Sequence, residues 1–216
     1  MTGKEMVPWG TAMVGDVLSA LQVPGSGFFG KLGDKYLERK QTEAAEILIE
    51  EVSKGSAEPI NFTDSDTDPL IEIIYRFSKA AADGAARENL RLLAQVIAGL
   101  KRNKALQPDK FRKWANVLEQ LTRDELLVVG KAIATKRELE VEPNISFWDR
   151  LKEDLAASGY QEAEAGSLCA SLTRTGLLLP SSGWDQLIYR PTPWLDELAS
   201  LADVEGVTTS RARQPG

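Results

Sequence analysis

The chain has 216 residues, 43% of them hydrophobic and 27% charged, with 26 Lys and Arg against 32 Asp and Glu and a net charge of -6. That is ordinary globular composition for one large domain or two small ones, and its acidic balance argues against non-specific polyanion binding, because duplex affinity rests on neutralised phosphates. With no histidine and a single cysteine, the sequence lacks Ser-His-Asp and Cys-His nucleophilic machinery, histidine-ligated metal sites and any internal disulfide.

Residues 1–27 are Gly-rich and weakly charged. Spacing predicts a short helix over 11–21, with Met13, Val14, Val17, Leu18 and Leu21 on one face, ended by Pro24-Gly25-Ser26-Gly27. Residues 1–30 read either as a packed helix and turn or as a membrane-active or partner-docking segment exposed by a trigger. The longest uncharged run, 17–30, is too short to span a bilayer and is interrupted by Pro24 and Gly25, so no stable membrane anchor and no signal peptide are expected. The lone Cys169 suits a reducing, cytoplasmic setting and reads as a small core residue.

A longer helix is predicted over 28–53, with Leu32, Tyr36, Leu37, Ala44, Ile47, Leu48 and Val52 as its apolar stripe. Residues 1–58 therefore form an N-terminal helical region, and 59–69 a linker. The linker holds Asp64-x-Asp66-x-Asp68, the opening spacing of a calcium loop. It fails as one: Pro69 stands where the loop needs Gly, and Tyr75 where it needs a bidentate Glu. Asp68 as N-cap and Pro69 at the first helical position is the better reading.

Residues 70–120 are central helices. Ile71, Ile74, Phe77 and Ala81, then Leu90, Leu93, Ile97 and Leu100, recur at helical spacing, and Asp83-Gly84 divides the run in two. The main concentration of positive charge follows: Lys101, Arg102, Lys104, Lys110, Arg112 and Lys113, against Asp109. Beside Phe111 and Trp114 this is a candidate nucleic-acid or anion-binding patch, or else a solvated turn between helices. Phe111 and Trp114 are expected to face inward with Leu118.

Residues 121–201 have a different order. Thr122-x-x-Glu125 is a capping box opening a helix through Ile133 and as far as Leu139, with Leu126, Leu127, Val129, Ala132 and Ile133 apolar. After an acidic connector, Ser146 caps a helix carrying Phe147, Trp148, Leu151 and Leu155. A third helix over 162–175 carries Leu168, Leu172 and Thr175, and Gly176 supplies a left-handed cap. Leu177-Leu178-Leu179 reads as a strand, Ser181-Ser182-Gly183 as a turn and Leu187-Ile188-Tyr189 as the returning strand. Thr192 and Pro193 then start a helix with Trp194, Leu195, Leu198 and Leu201, before a loose tail over 202–216. The expected fold is mostly α: helical N-terminal and central regions, then a winged-helix-like domain with one β-hairpin.

In a winged helix the 162–175 helix would enter the major groove, offering Ser167, Ser171, Thr173 and Arg174, with Arg190 from the hairpin. Glu162, Glu164, Asp185, Asp196 and Glu197 oppose those two arginines, which disfavours duplex binding.

Across 70–198 the run ENLRLLAQVI, then P-D-x-F, VLEQLTRDE, L-x-x-x-G-L-L and Y-x-x-T-P resembles the abortive-infection alpha family of bacterial anti-phage proteins. The chain departs from that pattern at Pro193-Trp194, where the family tends to have Gly and an aromatic. The resemblance transfers no site residue. It implies a non-catalytic helical interaction protein of a phage-defence or stress module, acting through protein partners, self-association included, with no cofactor. A winged-helix DNA-binding regulator and a triggered membrane effector are the alternatives.

Overall fold

The computed structural model describes residues 31–54, 64–141, 145–183 and 187–209. The helix expected over 11–21, and with it the membrane-effector reading of 1–30, lies outside them. The chain divides into two compact units, Met1–Gln120 and Leu121–Gly216, a boundary that falls where the composition changes order.

In the first unit, α1 (Lys31–Ser53), a 3-10 turn (Asp64–Asp66), α2 (Thr67–Ala82), α3 (Arg87–Arg102) and α4 (Pro108–Leu118) pack together. Helix α3 is the centre. It lies against α1, α2 and α4, and Leu92, Ala94, Val96 and Ala98 are buried together with the stripe Leu90, Leu93, Ile97 and Leu100. A helix apolar most of the way round has to be enclosed by neighbours. Phe77, Phe111, Trp114 and Leu118 complete the core from α2 and α4.

The break at Asp83-Gly84 is a Schellman cap. Gly84 takes φ +94°, its N–H donates to the Ala81 carbonyl at 3.2 Å, and the Ala85 N–H donates to the Ala80 carbonyl at 3.0 Å. The end of α3 repeats the motif with Lys104 at φ +52°, where a residue without Cβ is the usual choice.

Three sequence expectations are corrected here. Helix α2 starts at Thr67, so Pro69 occupies the third position of the first turn, where its missing N–H has no intrahelical partner to lose. Asp66, not Asp68, precedes the helix, and its carboxylate meets Lys101 Nζ at 2.5 Å instead of capping. Ile71 and Tyr36, expected in the apolar stripes, are solvent-exposed, while Ile73 takes the core position on α2. The side chains of Leu32 and Leu37 lie outside the described residues.

The second unit runs α5 (Arg123–Val141), α6 (Phe147–Ala157), α7 (Glu162–Leu172), a 3-10 turn (Thr173–Thr175), β1 (Leu178–Ser182), β2 (Leu187–Pro191), α8 (Pro193–Leu201) and α9 (Val204–Thr209). Three helices, a two-stranded antiparallel sheet and a helix is the winged-helix-like order.

Local chemistry fixes the joints. Glu125 Oε2 accepts from the Thr122 N–H at 2.9 Å and Thr122 Oγ1 accepts from the Glu125 N–H at 3.3 Å, closing the capping box. Ser146 Oγ accepts from the Asp149 N–H, and Thr192 Oγ1 from the Trp194 N–H. Cys169 and Ala165 hold the core side of α7, while Leu168 is only half-buried. Trp148 of α6 meets Tyr189 of β2 edge-on, with ring centroids 5.1 Å apart.

The hairpin is longer than the sequence suggests. Ser181 and Ser182 belong to β1, paired with Ile188 and Leu187. The Thr192 N–H donates to the Leu177 carbonyl, and antiparallel alternation then makes Leu179–Arg190 and Ser181–Ile188 the bonded pairs. Pro180 and Pro191 fall at the unbonded positions, where a missing N–H costs the ladder nothing and blunts both outer edges.

Gly176 has φ +74°, and a Cβ there would lie 3.0 Å from the Trp194 indole. Gly176→Val is therefore expected to cost roughly 1 kcal/mol or more, from the left-handed backbone and the close ring together. A urea unfolding midpoint equal to that of the parent chain would refute this.

The expected loose tail is partly ordered. Helix α9 packs on α5 by burying Val204 and Val207, and Asp203 Oδ1 accepts from the Gly206 N–H at 2.9 Å to start it. Gly130 makes the approach possible: a Cβ there would sit 3.2 Å from Thr208 Oγ1. Arg137 and Glu205 add an ion pair at 3.0 Å.

Candidate functional site

The two candidate surfaces were a basic patch in the first unit and a recognition helix with a wing in the second. In the basic patch, most cations are already engaged by their own unit. Lys101 pairs with Asp66, Arg102 Nη2 donates to the Lys54 carbonyl at 3.1 Å, and Arg112 pairs with Asp109. Lys113 Nζ stands 4.5 Å from the Trp114 ring centroid. Lys104 and Lys110 are exposed and have no side-chain partner among the described residues. The patch is thus dispersed over the end of α3, the turn and α4, and Phe111 and Trp114 face the core instead of offering a stacking platform.

On the expected recognition helix, each of the four hydrogen-bonding side chains already has a partner within its own unit. Ser167 Oγ donates to the Ala163 carbonyl at 2.8 Å, and Thr173 Oγ1 to the Ala170 carbonyl at 2.7 Å. Ser171 Oγ lies 2.5 Å from Glu125 Oε1 and 2.8 Å from the Leu168 carbonyl, two acceptors sharing one proton. The Arg174 guanidinium forks onto the Glu125 carboxylate, Nη1 to Oε1 at 2.5 Å and Nη2 to Oε2 at 3.0 Å. Helix α7 also ends at Leu172, so Thr173 and Arg174 sit in the 3-10 turn and not on the helix. Arg190 is separate from this group, exposed on β2 opposite Leu179.

Glu125 is the residue whose second role the sequence does not announce. It is buried, caps its own helix, and anchors Ser171 and Arg174 from the neighbouring helix α5. The Arg174 hydrogen bonds, joined by those of Ser171 and the Thr122 N–H and opposed by burial, hold its carboxyl down from the ordinary 4.5 to about 2. It is ionised throughout the physiological range.

An open cavity of about 500 Å³ lies between α6 and α7, lined by Asp149, Lys152, Glu153, Tyr160 and Glu162 among others. Lys152 sits 3.3 Å from Asp149 and 3.9 Å from Glu162, and the Tyr160 hydroxyl donates to Asp124 at 2.8 Å. The charged lining is net acidic, with Lys152 against Asp149, Glu153 and Glu162. Burial pushes the Cys169 thiol up to about 12, so it stays neutral. Among the described residues no cluster of His, Cys, Asp or Glu could hold a metal ion, and no helix is long and apolar enough to cross a membrane.

The second unit also exposes large apolar side chains. Leu179 is 54% and Leu187 56% accessible on the hairpin, and Trp194 is exposed at the start of α8. No family model, curated protein or solved structure matches this chain.

Proposed function

We propose that this chain is a non-catalytic interaction protein whose winged-helix-like unit binds protein. The observation that carries this is the Glu125–Arg174–Ser171 cluster. A groove-reading helix needs free polar side chains and net positive charge, and here the arginine and the serine are engaged internally, and the helix opens with Glu162 and Glu164. The hairpin instead exposes Leu179 on one face and Leu187 on the other, large apolar side chains open to a protein partner. No catalytic step is assigned to any residue. The order of motifs across 70–198 favours a phage-defence or stress module, in the cytoplasm, as the setting.

A DNA-binding regulator is the second reading, kept by Arg190, Lys104 and Lys110, the candidate cations with no side-chain partner among the described residues. A mobility-shift titration with duplex DNA at low salt separates the two. No shift is expected, and none should be gained or lost on changing Lys101, Arg102 and Lys104 to Glu. A saturable shift abolished by Arg190→Glu would overturn the proposal. In parallel, a photo-crosslinking amino acid at Leu187 in living cells is expected to capture a discrete protein adduct, from phage-infected cells if the defence setting holds.

A further inference from the structure

The two units carry, on separate elements, exposed faces of opposite charge and similar apolar character. On α2, Asp68, Ile71, Glu72 and Tyr75 are spaced i, i+3, i+4, i+7 and so form one stripe. Ile71 is 42% and Tyr75 60% accessible, large values for apolar side chains on a helix whose other face fills the core. Asp68 and Glu72 are exposed and have no ion-pair partner among the described residues, although their neighbours Arg76 and Lys79 pair with Glu119 and Asp83. Over seven residues the stripe is about 10 Å long.

On the hairpin, pleat alternation puts Leu179, Ser181, Ile188 and Arg190 on one face, opposite the face that sends Tyr189 onto Trp148. Leu179 is more than half exposed, Ile188 and Ser181 are half-buried, and Arg190 is exposed without an ion-pair partner among the described residues. Pro180 and Pro191 blunt the strand edges, so a partner meets the face and not the ladder.

From this complementarity we infer that a second copy of the chain is a partner: the α2 stripe of one copy docks on the hairpin face of another, with Ile71 and Tyr75 against Leu179 and Ile188, and Asp68 and Glu72 beside Arg190. The inference rests on reading the hairpin as protein-binding. The contact joins two different surfaces, so it is heterologous: a joined pair still has a free hairpin face on one copy and a free stripe on the other, to which a further copy can add. Its small area makes it weak and concentration-dependent. It also brings the charges that the individual units leave unpaired next to opposite ones, which matters in a chain of net charge -6.

Sedimentation or light scattering of the full chain over a concentration series tests it. Mass is expected to rise above the 23.7 kDa monomer as concentration increases. Leu179→Asp and Tyr75→Asp both change exposed side chains, and each alone should stay at the monomer mass. Mixed one to one they should reach twice that mass and stop, because one intact stripe meets one intact hairpin face. Arg190→Glu should weaken assembly, and Glu72→Arg added to it should restore it. A parent chain monomeric at every concentration, a single variant that still assembles, or a mixture that stays monomeric would overturn self-docking. A protein adduct at Leu187 that persists in such a monomeric chain would leave the protein-binding reading standing while this inference fell.

Discussion

Leu93→Ala is expected to lower the stability of the first unit by about 2–5 kcal/mol, a large part of the roughly 5–15 kcal/mol that holds an ordinary domain together. Leu93 is fully buried in the middle of α3, the helix that meets three others. Deleting its terminal carbons removes the transfer energy of the buried groups and leaves a void. How fully that void closes sets the cost. Here α1, α2 and α4 pack α3 from several sides, Ile97 and Leu90 flank the site on the same face, and no single helix can move in without leaving another. The upper half of the range is therefore the expected outcome. Ile71→Ala is the control: that side chain is substantially exposed on α2, and its loss should cost less than about 1 kcal/mol. Urea unfolding of both variants gives the comparison, with an unchanged slope certifying that only stability has moved. Equal midpoints for Leu93→Ala and the parent chain would remove α3 from the centre of the unit.

What the sequence made legible was local. The caps at Thr122, Ser146 and Thr192 and the left-handed turn at Gly176 depend on residues a few positions apart, and each is found where its side chain predicts. The stripe Leu90, Leu93, Ile97 and Leu100 is likewise real, but periodicity shows only the strongest face. The burial of Leu92 and Val96 follows from how many helices surround α3, which no window along the chain contains. Lys104 was unreadable as a cap for a related reason. The Schellman bonds closing α3 impose the left-handed backbone there, against the preference of the residue.

Helix α9 is the clearest tertiary effect. Its sequence, VEGVTT, combines a glycine with β-branched residues and has little tendency to be helical alone. Burial of two valines on α5, against a glycine that clears the way, forms it. The candidate site residues show the same dependence on the fold. A cluster of cations was visible as composition, yet the fold distributes it among Asp66, Asp109 and the Lys54 carbonyl. Arg174 read as a groove contact because the carboxylate that holds it stands 49 residues earlier. Charge in a sequence states supply, and only the fold states demand.

Glu125→Gln is expected to cost the second unit about 2–3 kcal/mol at neutral pH and to flatten its acid unfolding limb. Removing the charge breaks the fork to Arg174 and replaces one acceptor of a carboxylate that also serves Ser171 and the Thr122 N–H. The carboxyl is depressed from 4.5 to about 2, a difference worth up to about 3 kcal/mol between the ionised and protonated forms. Arg174 is 43% exposed, so solvent screens the pair and part of that value is lost. The sign follows from the direction of the shift. A lowered carboxyl contributes fully above 4.5, and its contribution falls as pH drops from there through about 2, since the unfolded chain takes up the proton first. The parent chain should therefore lose stability across that window more steeply than Glu125→Gln, and the two curves should converge near its acid end. Arg174→Met separates the contributions: it leaves the cap bond to Thr122 and the Ser171 hydroxyl in place, so the carboxyl should move back toward 4.5 without the helix start being lost. Urea midpoints measured from neutral pH down to the acid limit, with carbon-detected NMR titration of the Glu125 carboxyl, give both readings. Parallel stability curves for the parent and Glu125→Gln would show that Arg174 is not held by this carboxylate, and would return the arginine to the surface as a free contact.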